Sequence, residues 1–391
     1  MIANAGDWLR DILEEHVEEL TFLWPRRPRA WRSPGFSLRA LQQLDERLDA
    51  HTDALALASE DAIPLVEPLL SSEDPNEVLT ASVAILRMDD GRFTQHVREA
   101  FERAAPDVLQ GFAFAFAHAR ADIGPVRGPT PHHDVVLLYA RALRGSPLGP
   151  DALLRLLTHE DAAVRERVWH TLAMLGRKRQ LDLRREVADA MEDEPSVRRA
   201  ALRAAAWVSQ PWLLDALRRL ADSPGTARWD ALELLAVLGK PEDVFRIRAA
   251  LSDTSLGPAR FELVGHLGNP ALVELLFPAM NEEDPLTAAA AALAFRRITG
   301  VSVDSARRVE VEEEDVHLPD LAMARTQWHQ LKDKLGGGTR WSWGVNVERG
   351  LTDVALVAID LPSLTEGKLR DAFYGRFDLG PAALERFPYR E

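Results

Sequence analysis

His159-Glu160-Asp161-Ala162-Ala163-Val164-Arg165 is the stretch whose reading decides the fold. Leu153, Leu156 and Leu157 form an apolar stripe before it. Val164, Val168, Leu172 and Leu175 follow at spacings of 4, 4 and 3, which is one face of a helix. Asp161 stands where a side chain caps a helix N-terminus, and Gly176 stands where a glycine ends one. The stretch reads as helix, turn, helix, and it recurs. Second-helix starts fall at Val164-Arg165, Val197-Arg198, Ala227-Arg228 and Ala259-Arg260, at intervals of 33, 30 and 32 residues. Unit ends fall at Gly176, Ser209, Gly239, Gly268 and Gly300, at intervals of 33, 30, 29 and 32. Two independent marks with one period predict stacked helical pairs. A single pair cannot bury its own stripe, so stacking supplies the core.

A further unit around Asp284-Pro285-Leu286-Thr287 lacks the arginine, and a degenerate one begins at Asp74-Pro75-Asn76-Glu77-Val78. Alternating β-branched runs are few, and no Asn-Gly or Asp-Gly turn joins two of them. The expected fold is all-α: an α-solenoid of helical hairpin repeats with helical N- and C-terminal caps. Residues 1–60 form the N-terminal cap, 61–300 the solenoid, and 301–391 an acidic loop followed by a helical extension. In the last part Glu310, Glu312, Glu313, Glu314 and Asp315 make the loop, Pro319-Asp320 opens a helix to Leu335, and short helices fall near 352–360, 365–376 and 381–386.

The period and the turn resemble HEAT-type repeats, two antiparallel helices per unit joined by an Asp-x-x-Val-Arg style turn. Asp161-Ala162-Ala163-Val164-Arg165 matches that turn best. Arg165, Arg198, Arg228 and Arg260 are the structural arginines of this pattern. Each sits just inside a second helix, where it can reach its own or the preceding turn and tie neighbouring units into a ladder.

Composition narrows the function. Lys plus Arg is 47 and Asp plus Glu is 61, a formal net charge of −14, which opposes general nucleic-acid binding. The absence of cysteine removes disulfides, thiolate zinc sites, iron–sulfur clusters and cysteine nucleophiles. The longest apolar run, Ala288 to Phe295, has eight residues, where a membrane span needs about 20. Asp7, Asp11, Glu14, Glu15, Glu18 and Glu19 fill the N-terminus, which carries no secretory signal pattern; a cytoplasmic location is the expectation.

Chemical motifs are sparse. His132-His133-Asp134 is the one histidine cluster, but adjacent helical residues point apart, and a helix start after Pro131 accounts for it. His16 has no second histidine at i+4, and Glu15 and Glu19 read as a solvated acidic face. Gly336-Gly337-Gly338-Thr339-Arg340 follows a helix and lacks lysine, so it reads as a helix terminus rather than a phosphate loop. No catalytic, cofactor or metal residues are assigned. Arg26, Arg27, Arg29 and Arg32 with Trp24 and Trp31 form either an arginine–aromatic patch for an acidic partner or a proline-broken connector whose tryptophans pack inward; the overall charge favours the connector. Arg177-Lys178-Arg179 with Arg184 and Arg185 is a second small basic spot. Trp169, Trp207 and Trp229 lie on or beside second helices, as core or as anchors for a partner on the inner curve. With Trp24 and Trp31 they are the candidate partner-binding residues.

The flanks carry a second resemblance. Ile12-Leu13-Glu14-Glu15-His16, Phe22-Leu23-Trp24 and Leu44-Asp45-Glu46-Arg47-Leu48-Asp49-Ala50-His51 resemble the N-terminus of a proteobacterial HEAT-repeat family often encoded in type VI secretion clusters. Phe295-Arg296-Arg297-Ile298-Thr299-Gly300, Leu318-Pro319-Asp320, Trp328 and Gly338-Thr339-Arg340 keep its later marks in order, while Gln327-Trp328, Trp341-Ser342 and the tail depart from it. The resemblance implies a fold and a genomic setting. The expected function is a non-catalytic protein-binding scaffold, an adaptor or chaperone for a secretion effector or component, whose partner presents a basic or amphipathic surface to the inner face of the second helices. An immunity protein that masks a cognate toxin is the first alternative. A HEAT-like enzyme of DNA glycosylase or bilin lyase type is the second, opposed by the charge for the former and by the lack of a residue set for the latter.

Overall fold

The computed structural model describes residues 5–88, 90–119, 128–176, 181–311, 314–336, 339–352, 356, 358–377 and 380–388. The chain divides into two compact units, residues 1–180 with 379–391, and residues 181–378.

The first unit contains α1 (Ala5–Leu23), α2 (Arg26–Ala30), α3 (Leu38–Ala58), α4 (Ile63–Val66), α5 (Pro75–Met88), α6 (Gly91–Arg103), α7 (Leu109–His118), α8 (Pro131–Leu143), α9 (Pro150–Leu156) and α10 (Ala162–Leu175). Proline stands in the first turn of α8 and α9, where its fixed φ suits a helix and its missing N–H goes unused. Ser37 caps α3 by accepting from Ala40 N at 3.2 Å, and Asp161 caps α10 by accepting from Ala163 N at 2.7 Å. Helix α5 packs on α7, α7 on α8, and α8 on α10. Phe101, Phe112 and Phe116 fill the core between them; the Phe101 ring meets the other two edge-on, with centroids 5.5 and 5.1 Å apart.

The second unit contains α11 (Arg184–Ala190), α12 (Pro195–Trp207), α13 (Leu213–Asp222), α14 (Arg228–Leu238), α15 (Val244–Leu251), α16 (Glu262–Leu267), α17 (Leu276–Ala279), α18 (Pro285–Thr299), α19 (Leu321–Leu335) and α20 (Leu361–Phe373). Its first helices bury a stripe only: Leu213, Leu217 and Ala221 on α13, Ile247 and Ala250 on α15. Its second helices are buried on almost every side. In α12, Val197, Ala200, Ala201, Leu202, Ala204, Ala205 and Ala206 are all covered. Apart from Ser196 in the first turn, only the row of Pro195, Arg199 and Arg203 reaches solvent, so α12 is an inner layer on its other sides, and its alanines let neighbours approach closely. The last described stretch, with α21 (Ala382–Glu385), belongs to the first unit.

One expectation is corrected. The segment read as an acidic loop is, where described, a hairpin: β1 (Asp304–Val311) pairs antiparallel with β2 (Glu314–Pro319), Val309 opposite Val316 and Glu310 opposite Asp315. Val309, Val311 and Val316 supply the β-branched residues, and Arg308 reaches Asp315 at 3.3 Å across the ribbon. The run of acids hid this short alternation; Glu312 and Glu313 lie outside the described residues. A smaller ribbon joins β3 (Trp341–Ser342) to β4 (Val345–Asn346). Asp320 caps α19 by accepting from Met323 N at 2.9 Å, which agrees with the helix read from Pro319-Asp320. The helices near 365–376 and 381–386 appear as α20 and α21, while part of 352–360 lies outside the described residues. Among the described residues no helix is long and apolar enough to cross a membrane.

Candidate interaction surface

The four repeated arginines turn back to the loop that closes the preceding first helix. Arg165 donates to the carbonyls of His159 at 2.6 Å and Glu160 at 2.7 Å. Arg260 donates to Leu251 at 3.2 Å and Gly257 at 2.6 Å. Arg198 reaches the Asp193 carbonyl at 3.4 Å, then crosses to the next pair, to the Thr226 carbonyl at 3.1 Å and the Asp230 carboxylate at 2.6 Å. Arg228 reaches the Ala221 carbonyl at 3.4 Å and pairs with Asp253 of the next pair. Carbonyls beyond a helix end have no intrahelical donor, and a planar guanidinium can serve several of them together.

The opposite ends of the second helices in the second unit are also taken, by residues 340–344 and by Phe373 and Tyr374 of the same chain. Trp341 N donates to the Gly268 carbonyl at 2.8 Å, and Trp343 N and Gly344 N donate to Arg297 at 2.5 Å and Ile298 at 3.1 Å. Arg340 is buried and donates to the carbonyls of Ala236 at 3.2 Å, Val237 at 2.7 Å, Gly239 at 2.9 Å and His266 at 3.4 Å. Burial, then the nearby Arg370 charge, push its pKa down to about 9, which still leaves it a cation at neutral pH. Tyr374 Oη donates to Leu238 at 2.6 Å, and Ser209 Oγ donates to Phe373 at 2.6 Å. Helix α20 packs on α12 and α14.

The unit-end residues make this contact possible. Gly268 and Gly300 have φ of 68° and 76°. A Cβ on Gly268 would overlap the Trp341 carbonyl oxygen, and one on Gly300 would lie 2.6 Å from that of Trp343. Ser209 holds a φ of 57° without being glycine, and its hydroxyl anchors the end of α20.

A largely covered cluster of ionisable side chains fixes α20. His266 Nδ1 lies 2.7 Å from Glu366 Oε1, and Arg297 Nη1 stands 3.1 and 3.3 Å from the two ring nitrogens, over the imidazole. Burial alone would raise the Glu366 pKa. His266 opposes that, with Arg297 and Arg203 further off, and the carboxyl is held down at about 2.

Three of the five candidate tryptophans are core side chains. Trp24 is 2% exposed, packed 5.2 Å from the Phe114 ring and 5.1 Å from Phe387. Trp169 and Trp207 are 2% and 4% exposed. This corrects their reading as partner anchors, since rings so covered offer no surface. Trp31 and Trp229 are half-buried. The arginines beside Trp24 are divided. Arg27 is buried, bidentate to Asp45 at 2.8 and 3.1 Å and bonded to the Arg386 carbonyl at 2.6 Å, whereas Arg26 lies over the Phe22 ring. Arg184 stacks on Trp212, and Arg177, Lys178 and Arg179 lie outside the described residues.

In the first unit the tail closes on the helix ends. Gly380 lies against the carbonyls of Ala173 and Met174, and Tyr139 Oη donates to Glu385. Burial pushes the pKa of both Tyr139 and Glu385 up. A cavity of about 460 Å³ is lined by Ala117, His118, Leu143, Arg144, Arg386 and Phe387. Burial, with the Arg27 and Arg144 charges, holds His118 down to about 3, so it is neutral at physiological pH. The adjacent histidines go separate ways: His132 Nε2 meets Asp161 at 2.8 Å, while His133 meets Thr130 Oγ1 at 2.8 Å and the Phe101 carbonyl at 3.0 Å. Among the described residues no group of three or more histidine, aspartate and glutamate side chains is placed to hold a metal ion.

Residues 150–236 match the family model of HEAT repeats. No curated protein and no solved structure gives a significant match to the chain. The family match and the repeated helical pairs define the class, an all-α solenoid with HEAT repeats across that span; such repeats serve generally as scaffolds for protein interaction.

Proposed function

We propose that the chain is a non-catalytic scaffold that binds a protein partner. The HEAT-repeat match over residues 150–236 carries the reading. Stacked pairs expose long surfaces whose cost of ordering is met inside the fold, which suits them to holding other chains. The net charge of −14 supports a partner that presents a basic or amphipathic face. The resemblance to a secretion-linked family narrows the role to an adaptor or chaperone for a type VI secretion effector or component, in the cytoplasm.

The same charge favours one second reading, an immunity protein covering a basic toxin. Deletion of the gene separates the two. Lost export of a partner identified by cross-linking supports the adaptor. Unchanged export with new sensitivity to a toxin supports immunity. A full-length chain that cross-links no protein in its own cell overturns the scaffold itself.

A further inference from the structure

Helix α1 has two unlike faces. Leu13, Leu20 and Leu23 are buried, and α1 packs on α3 and α5 through that side. The opposite side bears Trp8, Asp11, Glu15, Glu18 and Phe22, at spacings of 3, 4, 3 and 4, and all five are exposed. Trp8 is 65% exposed and Phe22 55%, among the most exposed large apolar side chains described. Soluble chains seldom leave two such rings in water on one helix face unless something covers them.

The three carboxylates between the rings form no ion pair among the described residues, although their neighbours do: Glu14 with Arg10 at 2.8 Å and Glu19 with Arg47 at 3.1 Å. The 3–4–3–4 spacing keeps the five on one stripe of the helix, with acid in its middle positions and an aromatic ring at each end. Trp8 and Phe22 are 14 residues apart, about 21 Å along the axis. Arg26 covers one face of the Phe22 ring, 3.9 Å from its centroid, and so stiffens that anchor.

We infer that this face docks a basic amphipathic helix of a partner protein, one with Lys or Arg over about two heptads between apolar residues some 14 apart. The inference rests on the scaffold reading and names its surface and partner. Charge decides among occupants. An anionic membrane attracts helices whose polar face is basic, and this one is acidic. A second copy would set carboxylate against carboxylate.

The test uses the full-length chain and a synthetic 21-residue helical peptide of lysine and alanine, with leucines 14 residues apart. Fluorescence anisotropy should show binding that weakens with salt. Trp8→Ala and Phe22→Ala should each weaken it about tenfold or more, and Glu15→Lys with Glu18→Lys should abolish it. Circular dichroism of every variant should be unchanged, because these side chains lie outside the core. A peptide of equal charge with leucines 11 residues apart should bind more weakly. No binding, or equal binding by the variants, overturns the docking face. So does a concentration-dependent dimer in sedimentation that Trp8→Ala removes, which assigns the face to a second copy. A chain that cross-links a cellular partner yet ignores the peptide loses this face and keeps the scaffold role.

Discussion

His266 and Glu366 meet at 2.7 Å and tie the last long helix of the second unit, α20, to the repeat helix α16. The imidazole comes from a turn before a unit-end glycine, and the carboxylate from a segment that carries no repeat mark. The pair joins the periodic part of the chain to the part that breaks the period.

Its first consequence is acid sensitivity. The Glu366 pKa is lowered from 4.5 to about 2, so its contribution to stability is complete above about pH 4.5 and lost as pH falls through about 2. The shift corresponds to about 3 kcal/mol. Glu366→Gln should be less stable than the parent by roughly that amount at pH 7, with the gap closing toward pH 2. Urea melts at a series of pH values check this; a constant gap from pH 7 to pH 2 would contradict it.

The repeated arginines should not be equal. Arg198 and Asp230 are 6% and 5% exposed at their side chains, and removing one partner strands a buried charge. Arg198→Ala should cost about 3–5 kcal/mol. Arg165 serves two carbonyls at a more open turn, and Arg165→Ala should cost about 1 kcal/mol. Thermal melts of the two variants give the order. Equal losses would show that the bond to the next pair adds nothing.

How far could this be read from the chain alone? The marks with a fixed period were legible, because Val164-Arg165 and Gly176 recur wherever a helix must start or stop for local reasons. The positions of the repeated arginines were legible, but not that Arg198 and Arg228 reach the next pair while Arg165 and Arg260 bond carbonyls of their own turn. The hairpin at 304–319 was not, since two short strands with few valines leave no period. The docking of Arg340 and Glu366 was hidden for another reason. Their partners are carbonyls and a histidine 74 to 104 residues away, matched by the fold and not by spacing. Trp169 and Trp207 were ambiguous because their helices mix arginines with alanines on several sides and mark no clear inner face, and Trp24 because it lies in a connector between helices, where no period applies.

The glycines at unit ends carry a test of the C-terminal contact. Gly268→Ala must adopt a φ of 68° and displace the Trp341 carbonyl. It should cost more than about 1 kcal/mol and free the stretch around residues 339–344. Limited proteolysis should then cut there faster than in the parent. Gly145→Ala is the control, with a φ of 71° and nothing within 4 Å of the added methyl; it should show the backbone penalty without new cleavage near residue 340.

Trp8 and Trp169 separate surface from core in one pair of melts. Trp169 is 2% exposed inside α10, so Trp169→Ala leaves a cavity and should cost about 3–5 kcal/mol. Trp8 is 65% exposed in the first turns of α1, so Trp8→Ala should stay within about 0.5 kcal/mol of the parent. A partner measurement must give the reverse ranking once stability is controlled, because a buried ring has no contact to lose and an exposed one has little else to do. If Trp169→Ala, assayed well below its melting temperature, weakened partner binding while Trp8→Ala did not, the second helices would be the docking surface after all. The tail around Gly380, which covers the end of α10 at Ala173 and Met174, would then have to open for binding, and cleavage near residue 380 should rise when partner is added.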